Sequence, residues 1–294
     1  MIEYFIGVDG GGTGTRVRLA NADGVELAQG HGGPSALAHG IGNAWTNIGN
    51  AVAMAFDQAG TAPAPMGAIA IGAGLAGVHN KVWAAQFAAA NPGYAALRLE
   101  TDGFTTLMGA HGGAPGTIVA IGTGSVGQAM LPGGEQREVG GWGFPAGDEA
   151  SGGWLGLRAI NHIEQVLDGR KPSTPFAQAV IDACGGARDP IQVWLGQATQ
   201  TSYAQLAPIV IAHAGTDATA RAFLLDAGAE VANIAHALDP SGTLPLALCG
   251  GLGAPLRAYL PQELLARSVA PQGDAASGAL HMIALHVRGP QSNS

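Results

Sequence analysis

The amino-terminal segment from Ile2 to Thr15 constrains the fold of this chain more than any other stretch. An apolar run from Tyr4 to Val8 ends in an aspartate, three consecutive glycines and a Thr-Gly-Thr string. Tyr, Phe, Ile and Val favour a strand, and glycine allows the positive φ angles of a tight turn. Apolar residues then alternate again at Val17 and Leu19, so the pattern predicts an antiparallel hairpin, with a third strand from Val25 to Gln29.

A glycine hairpin of this composition can bind phosphate. Small residues such as Gly11 and Gly12 expose backbone N–H groups to an anion, and Thr13 and Thr15 add hydroxyl donors. Asp9 would repel a bare phosphate, but a Mg²⁺ ion between them can be held by the carboxylate, through water, and by the phosphate oxygens. We therefore predict that Asp9 binds Mg²⁺. The alternative is a solvated hairpin with an aspartate in its turn.

A second segment repeats this pattern about 110 residues further along the chain. The apolar run Thr117 to Ile121 is followed by Gly122, Thr123, Gly124 and Ser125. Two such strand-turn-strand units suggest two halves of similar design, each presenting donors to one polyphosphate. The glycines and the threonine of this second turn are therefore further predicted phosphate contacts.

Composition limits the classes of function. The chain has 294 residues, enough for two domains, and its formal net charge of −8 argues against nucleic acid as a partner. Cys184 and Cys249 are far apart without metal-type spacing, which fits a reducing compartment. The sequence contains no basic leader and no apolar run of membrane-spanning length, so we predict a cytoplasmic protein without a membrane partner.

Asp102 is the candidate catalytic acid–base residue. It follows a short predicted strand, Leu97 to Thr101, and precedes a predicted helix from about Phe104 to Ala110. An aspartate at the carboxyl end of a strand in an α/β sheet faces the crevice where ligands bind. There it can orient a hydroxyl group and accept its proton during phosphoryl transfer. The alternative is that Asp102 caps the following helix.

The two glycine turns resemble those of the acetate kinase, sugar kinase, heat-shock chaperone and actin superfamily. The resemblance is closest to the N-acetylglucosamine kinase and bacterial glucosamine kinase branch of the BadF/BadG/BcrA/BcrD-type ATPases. The string GGWGFPAGDEASG, from Gly140 to Gly152, is similar to the sugar-pocket motif of N-acetylglucosamine kinases. By that likeness Asp148 accepts hydrogen bonds from sugar hydroxyls, and Trp142 and Gly143 form a pocket wall, a combination that suits a sugar. The alternative for Trp142 is core packing. Two roles are open for Glu149, contact with metal-bound water or a cap of the next helix.

The resemblance also predicts further sugar contacts and contacts to the adenosine. Ser35 lies in the loop that contacts the sugar in amino-sugar kinases, although Ala36 and Leu37 follow it where that branch usually has an asparagine. The loop after the strand predicted for Met66 to Ile71 is similar to a sugar-facing loop of bacterial glucosamine kinases. In this superfamily a glycine pair at the end of a strand lies against the adenosine. These resemblances predict sugar contacts for Ser35, Gly77 and Ser125 and adenosine contacts for Gly250 and Gly251.

The resemblance implies an α/β fold. It consists of two ribonuclease H-like lobes of the actin-like ATPase type, with mixed five-stranded sheets around a central cleft. Residues 1–112 would form a phosphate-binding lobe and residues 113–274 a nucleotide-binding lobe. A carboxy-terminal helix from about 275 to 294 would pack on the first lobe, and residues from Gly289 onward would fray. The region 174–237 is predicted to be helical, without catalytic residues, and is the candidate face of a homodimer.

The function implied is that of an ATP-dependent amino-sugar kinase. ATP and Mg²⁺ are the expected cofactors, and Asp102 would activate the C6 hydroxyl of glucosamine or N-acetylglucosamine. One alternative is an ATPase that couples hydrolysis to a partner protein; such relatives hold an iron–sulfur cluster between subunits with cysteines. The other is a nucleotide-binding regulator without catalysis, which would need a DNA-binding extension.

Overall fold

The computed structural model describes residues 1–289 of the chain. Two compact units are present: unit 1 comprises Met1–Pro115 with the described part of Ala270–Ser294, and unit 2 comprises Gly116–Val269. The helix predicted for 275–294 ends at Arg288, and residues 290–294, which the predicted helix and frayed terminus include, lie outside the described residues. Within 1–289, no helix combines the length and the apolar character needed to cross a bilayer.

Each unit is built on one mixed five-stranded sheet, and the two sheets share a topology. The order is β3-β2-β1-β4-β5 in unit 1 and β8-β7-β6-β9-β10 in unit 2. In both, the first three strands pair antiparallel and the remaining neighbours pair parallel. The strands are β1 (Tyr4–Gly10), β2 (Thr15–Asn21), β3 (Glu26–Gly32), β4 (Ile69–Leu75), β5 (Ala96–Glu100), β6 (Gly116–Ile121), β7 (Ser125–Met130), β8 (Gln136–Gly140), β9 (Leu246–Cys249) and β10 (Ser268–Val269).

Helices cover the sheets, and several of them begin after a polar side chain that accepts hydrogen bonds from backbone N–H groups of the first turn. Together with the strands, these helices confirm the fold class predicted from the sequence, α/β with two mixed five-stranded sheets. The helices of unit 1 are α1 (Ile41–Gln58), α2 (Lys81–Ala89), α3 (Asp102–Ala110) and α12 (Ala275–Arg288), and those of unit 2 are α4 (Gly152–Leu167), α5 (Pro175–Ala183), α6 (Arg188–Gln197), α7 (Gln200–Ala204), α8 (Ala207–His213), α9 (Ala218–Leu238), α10 (Gly253–Leu256) and α11 (Gln262–Arg267).

The prediction for β4 was wrong in its limits. Residues Met66–Ala68 form a 3₁₀ turn, and the strand continues through Gly72 and Gly74, which the sequence pattern placed in a loop. A methyl group at Gly72 would overlap the carbonyl oxygen of Ala279 on α12, and one at Gly74 would overlap Thr105 on α3. These two glycines therefore admit the protein's own helices to the sheet.

Helix α12 is joined to the amino-terminal hairpin by an ion pair. The Arg18 guanidinium donates two hydrogen bonds to the Asp274 carboxylate, at 3.0 and 2.9 Å, and Asp274 also caps α12 by accepting from Ser277. Burial raises the pKa of Asp274, but the bonds from Arg18 and Ser277 outweigh it and lower the pKa to about 2. The carboxylate thus stays charged and holds the carboxy-terminal helix on the sheet of unit 1.

His162, on α4, is a buried titratable group in the core of unit 2. Its ring stacks on Phe176 with centroids 5.8 Å apart and meets the edge of Phe223. Neither ring nitrogen has a hydrogen-bond partner among the residues that the structure describes. Burial, and then the positive charge of Lys171, lowers the pKa of His162, whereas Asp217 acts in the opposite direction. The folded protein therefore favours neutral His162.

We expect the free energy of unfolding to fall as the pH drops below about 6.5, because the unfolded chain then binds a proton that folded His162 excludes. His162→Phe, which keeps an aromatic ring in the cluster, should reduce this acid sensitivity. Urea unfolding at about pH 7.5 and about pH 5.5 measures it. His286→Phe, at an exposed position of α12, is the control and should lose as much unfolding free energy between the two pH values as the wild type. An equal loss in wild type and His162→Phe would contradict the role assigned to His162.

Candidate functional site

The first glycine turn is open to solvent in the way a phosphate site requires. The turn between β1 and β2 closes with a hydrogen bond from the Gly11 N–H to the Gly14 carbonyl at 3.0 Å. A methyl group at Gly11 or Gly12 would meet no protein atom within 4 Å, and Thr13 is exposed. A cavity of about 330 Å³ lies beside the turn. Its lining residues are Asp9, Gly11, Thr13, Gly14, Thr15, Arg16, His31 and Gly32.

The hydroxyl of Thr15 has a different role from the predicted phosphate contact. Thr15 is buried, and its Oγ1 lies 2.6 Å from the Gly33 carbonyl and 2.7 Å from the Ser35 Oγ. Ser35, predicted to contact the sugar, is fully buried, and its N–H donates to the Gly11 carbonyl at 3.1 Å. Both hydroxyls are thus used inside unit 1, where they fasten the loop after β3 to the glycine turn.

Asp9 lies at the end of β1 with its side chain 18% exposed, and its Oδ2 is 3.1 Å from Nη2 of Arg16. Burial raises the pKa of Asp9; the charge of Arg16 lowers it, and Asp102 and Asp274 raise it further. Asp9 is in register with Gly74 of β4, and Gly74 with Glu100 of β5, so Asp9 and Asp102 lie at the same edge of the sheet. Arg16 was not among the residues predicted from the sequence. A basic residue directly after the glycine turn was the available signal.

Asp102 is exposed at the amino end of α3, just beyond β5. The alternative that it caps this helix is wrong, because Thr101 is the cap and its Oγ1 accepts from the Phe104 N–H at 3.1 Å. The Asp102 carboxylate accepts a hydrogen bond from the N–H of its neighbour Gly103 at 2.9 Å. A carboxylate that is neither the cap nor buried is available to a hydroxyl of a ligand.

The second glycine turn is held from behind by α4. The Gly122 N–H donates to the Gly124 carbonyl at 2.8 Å, and the N–H groups of Gly152 and Gly153 donate to the Gly122 and Thr123 carbonyls at 2.8 and 3.1 Å. A methyl group at Gly122 would meet no protein atom within 4 Å, and the Thr123 residue is exposed. The side of this turn away from α4 is therefore open to a ligand.

Ser125 follows this turn, and its hydroxyl, predicted to contact the sugar, is buried. The Ser125 Oγ donates to the Glu149 carbonyl at 2.6 Å. The cap of α4 is Ser151, whose Oγ accepts from the Trp154 N–H at 3.1 Å, so the alternative that Glu149 caps this helix is wrong. The hydrogen bond from Ser125 thus attaches the segment that contains Asp148 to strand β7.

Asp148 is 6% exposed and has a φ of 61°, in the left-handed region. Its Oδ2 accepts a hydrogen bond from Nε2 of Gln200 at 2.5 Å. Trp142, in the same motif, is 86% exposed, so the alternative that it packs in the core is wrong. Gly143 follows Trp142 with a φ of 87°, a conformation that glycine adopts without strain. The motif thus combines one enclosed carboxylate with one exposed aromatic ring.

The remaining predicted glycines differ in their surroundings. Gly77 has a φ of 95°, and a methyl group there would come within 3.3 Å of the Leu37 Cβ. Gly250 has a φ of 80° and packs on the Ile121 backbone, whereas a methyl group at Gly251 would meet no protein atom within 4 Å. Gly251 is therefore open to a flat ligand, and Gly250 is required by the turn itself.

Three comparisons relate this chain to known proteins. The model of the BadF/BadG/BcrA/BcrD ATPase family matches residues 6–280. The glucosamine kinase GspK of Vibrio cholerae is 33% identical over 281 residues, covering 95% of each chain, and an N-acetyl-D-glucosamine kinase of Dictyostelium discoideum is 26% identical over 283 residues, covering 85% of each. A crystal structure from Chromobacterium violaceum, described as a candidate N-acetylglucosamine kinase, is 53% identical with a TM-score of 0.91, covering 96% of this chain and 99% of that one.

Proposed function

Because the chain belongs to the BadF/BadG/BcrA/BcrD ATPase family, we propose that it is an ATP-dependent amino-sugar kinase acting on the C6 hydroxyl of glucosamine or N-acetylglucosamine. The observation that carries the proposal is the arrangement in unit 1. There an open glycine turn lies beside Asp9, and Asp102 lies just beyond β5 at the same edge of the sheet, because Asp9 is in register with Gly74 of β4 and Gly74 with Glu100 of β5. Kinases need these two functions, phosphate binding and a carboxylate for the acceptor.

Asp102 is the proposed general base. Its carboxylate orients the C6 hydroxyl and accepts its proton as the bond from oxygen to the γ-phosphorus forms and the bond from that phosphorus to the bridging oxygen of ADP breaks. Backbone N–H groups at Gly12 and Thr13 in unit 1 bind phosphate oxygens, and Gly11, whose N–H closes the turn, leaves room for the phosphate. The N–H groups of Thr123 and Gly124 in unit 2 do the same, while the Gly122 N–H closes that turn, and Gly251 with Gly250 lies against the adenosine. These groups stabilise negative charge with donors that are already in place.

The residues around Asp9 fit Mg²⁺. Among residues 1–289, no cluster of three or more His, Cys, Asp or Glu side chains could hold a metal, but Mg²⁺ commonly uses one or two carboxylates plus phosphates and keeps its waters. Asp9 offers one partly buried carboxylate that faces the cavity beside the glycine turn. When bound, Mg²⁺ would neutralise charge on the phosphates. Arg16, which pairs with Asp9 in this structure, would have to release it.

Sugar recognition is assigned to the motif in unit 2. Asp148 accepts hydrogen bonds from ring hydroxyls, and the exposed Trp142 ring and Gly143 cover an apolar face of the sugar. The loop after Ser35 offers no side-chain amide for an acetamido group, because Ala36 and Leu37 follow Ser35, and Leu37, which is 2% exposed, belongs to the core of unit 1. This observation favours glucosamine over N-acetylglucosamine.

The alternative of an ATPase coupled to an iron–sulfur partner has less support. Cys184 and Cys249 are both buried, and burial raises the pKa of each thiol to about 11. A cluster held between subunits needs cysteines at the subunit surface, and neither of these buried residues lies there. The homodimer predicted from the sequence stays a prediction, which light scattering of the purified protein tests.

An ADP-release assay with three acceptors tests the proposed function. We expect ATP- and Mg²⁺-dependent ADP release with glucosamine, a lower kcat/KM with N-acetylglucosamine, and the lowest with glucose, which lacks the nitrogen. Mass spectrometry of the product should show one added phosphoryl group, and a substrate methylated at the C6 oxygen should be inert. ADP release at the same rate with and without each sugar would contradict the proposed kinase function and favour an ATPase coupled to a partner protein.

A further inference from the structure

Gln200 lies between the second glycine turn and the segment of Asp148, in the region 174–237, for which the sequence predicted no site residue. Its Nε2 donates to Oδ2 of Asp148 at 2.5 Å and lies 3.2 Å from the Thr123 carbonyl, which it also contacts as a donor. Both hydrogens of the amide nitrogen are thus used. One of them contacts the proposed sugar-binding carboxylate, and the other contacts the proposed phosphate-binding turn.

The fold holds Gln200 in this place from both sides. Gln200 is the first residue of α7, which is fixed by a capping box in which Thr199 accepts from the Ser202 N–H and the Thr199 N–H donates to Ser202. Helix α7 packs on a glycine face of α4. A methyl group at Gly156 would overlap the Tyr203 carbonyl, and one at Gly153 would lie 3.1 Å from the Gln200 Cγ. The close approach of the two helices therefore depends on glycine.

The position of the Asp148 carboxylate is equally constrained. Asp148 and Ala150 both have left-handed backbone angles, with φ of 61° and 66°, which costs free energy for residues with a side chain. A methyl group at Gly124 would come within 2.7 Å of Asp148 Oδ2 and 3.2 Å of Gln200 Nε2. The carboxylate, the amide and the second glycine turn thus form one packed group in which each member limits the others.

We propose that Gln200 is a positioning residue of the reaction: it holds the Asp148 carboxylate against the second glycine turn and so sets the place of the sugar relative to the phosphate-binding N–H groups. This inference rests on the proposed kinase function. Gln200 acts on the sugar through Asp148 and on the turn through the Thr123 carbonyl. It offers an amide because a neutral donor satisfies the enclosed carboxylate without cancelling the charge that receives sugar hydroxyls.

The test is a set of kinetic measurements on Gln200→Met and Gln200→Glu. Met preserves most of the volume and removes both donors, so we expect the KM for the amino sugar to rise about tenfold or more. The KM for ATP should stay within about twofold, because the Gly153 N–H still donates to the Thr123 carbonyl and holds the turn. Glu places a second carboxylate beside Asp148, and we expect a larger effect. In an Asp148→Asn background, Gln200→Met should change the sugar KM less than twofold, because the residue acts through Asp148.

Gln205→Met is the matched control, since Gln205 is exposed at the other end of the same helix. The Tm of Gln200→Met should lie close to that of this control. A wild-type sugar KM in Gln200→Met, or equal changes in the KM for both substrates, would overturn the positioning role and leave the kinase function intact. A wild-type protein that phosphorylates no amino sugar would overturn both.

Discussion

Asp102→Asn is expected to lower the turnover of the amino-sugar kinase reaction by about 10²-fold or more while the affinity for ATP stays within a few-fold. The amide cannot accept the proton of the C6 hydroxyl, and it still supplies an oxygen for the Gly103 N–H that Asp102 now bonds. Helix α3 keeps its own cap, Thr101. The substitution therefore removes the proton acceptor with little effect on structure.

Initial rates with saturating ATP measure the turnover, and fluorescent-nucleotide binding measures the ATP affinity. Asp23→Asn is the matched control, because Asp23 is an exposed aspartate in the turn between β2 and β3 of the same unit. It should behave as wild type. Turnover above about one-tenth of the wild-type value in Asp102→Asn would remove this residue from the mechanism, since a positioned base contributes at least about 10²-fold.

The sheets were largely predictable from the sequence, because their signals are local. Apolar runs such as Tyr4–Val8 and Thr117–Ile121 are bounded by glycine turns, and each became the first strand of its sheet. Alternation after the turn then predicts an antiparallel partner. The two-residue strand β10 was missed, because Ser268–Val269 carries no periodic pattern of its own and exists through pairing with β9.

The roles of individual polar side chains were less predictable. A threonine or serine beside a glycine turn has the same chemistry whether it faces a ligand or the interior, and the structure turns Thr15, Ser35 and Ser125 inward. Thr13 and Thr123, at equivalent places in the two turns, remain exposed. Which hydroxyl is buried depends on contacts with distant segments, and single-sequence patterns do not contain these.

Gln200 shows the same limit for a residue outside the motifs. It bonds to Asp148 from a position 52 residues away along the chain. The α4 glycines that admit α7, Gly153 and Gly156, were visible in the sequence, but glycines inside a helical pattern do not identify the segment that approaches them. Only the packing of α7 on α4 reveals the contact.

Asp9→Asn is expected to lower kcat/KM for ATP on the order of 10²-fold and to raise the Mg²⁺ concentration required for half-maximal rate at least tenfold. Loss of the carboxylate removes the one protein ligand proposed for the ion, and charge stabilisation by such an ion contributes several kcal/mol. Titration of the rate with Mg²⁺ at fixed ATP measures the shift. Asp57→Asn, at an exposed position of α1, is the control and should leave the titration unchanged.

The same variant should keep or raise the Tm, and this separates function from stability. The pKa of Asp9 is raised, first by burial and then by Asp102 and Asp274, against the opposing effect of Arg16. When the pKa of a carboxyl group is higher in the folded state than in the unfolded state, the free energy of unfolding falls as the pH rises from the unfolded to the folded pKa. At neutral pH, ionised Asp9 therefore disfavours folding. Retaining such a group is expected where the charge serves a ligand. A fall in Tm that parallels the loss of activity would assign Asp9 a structural role and contradict the proposed Mg²⁺ site.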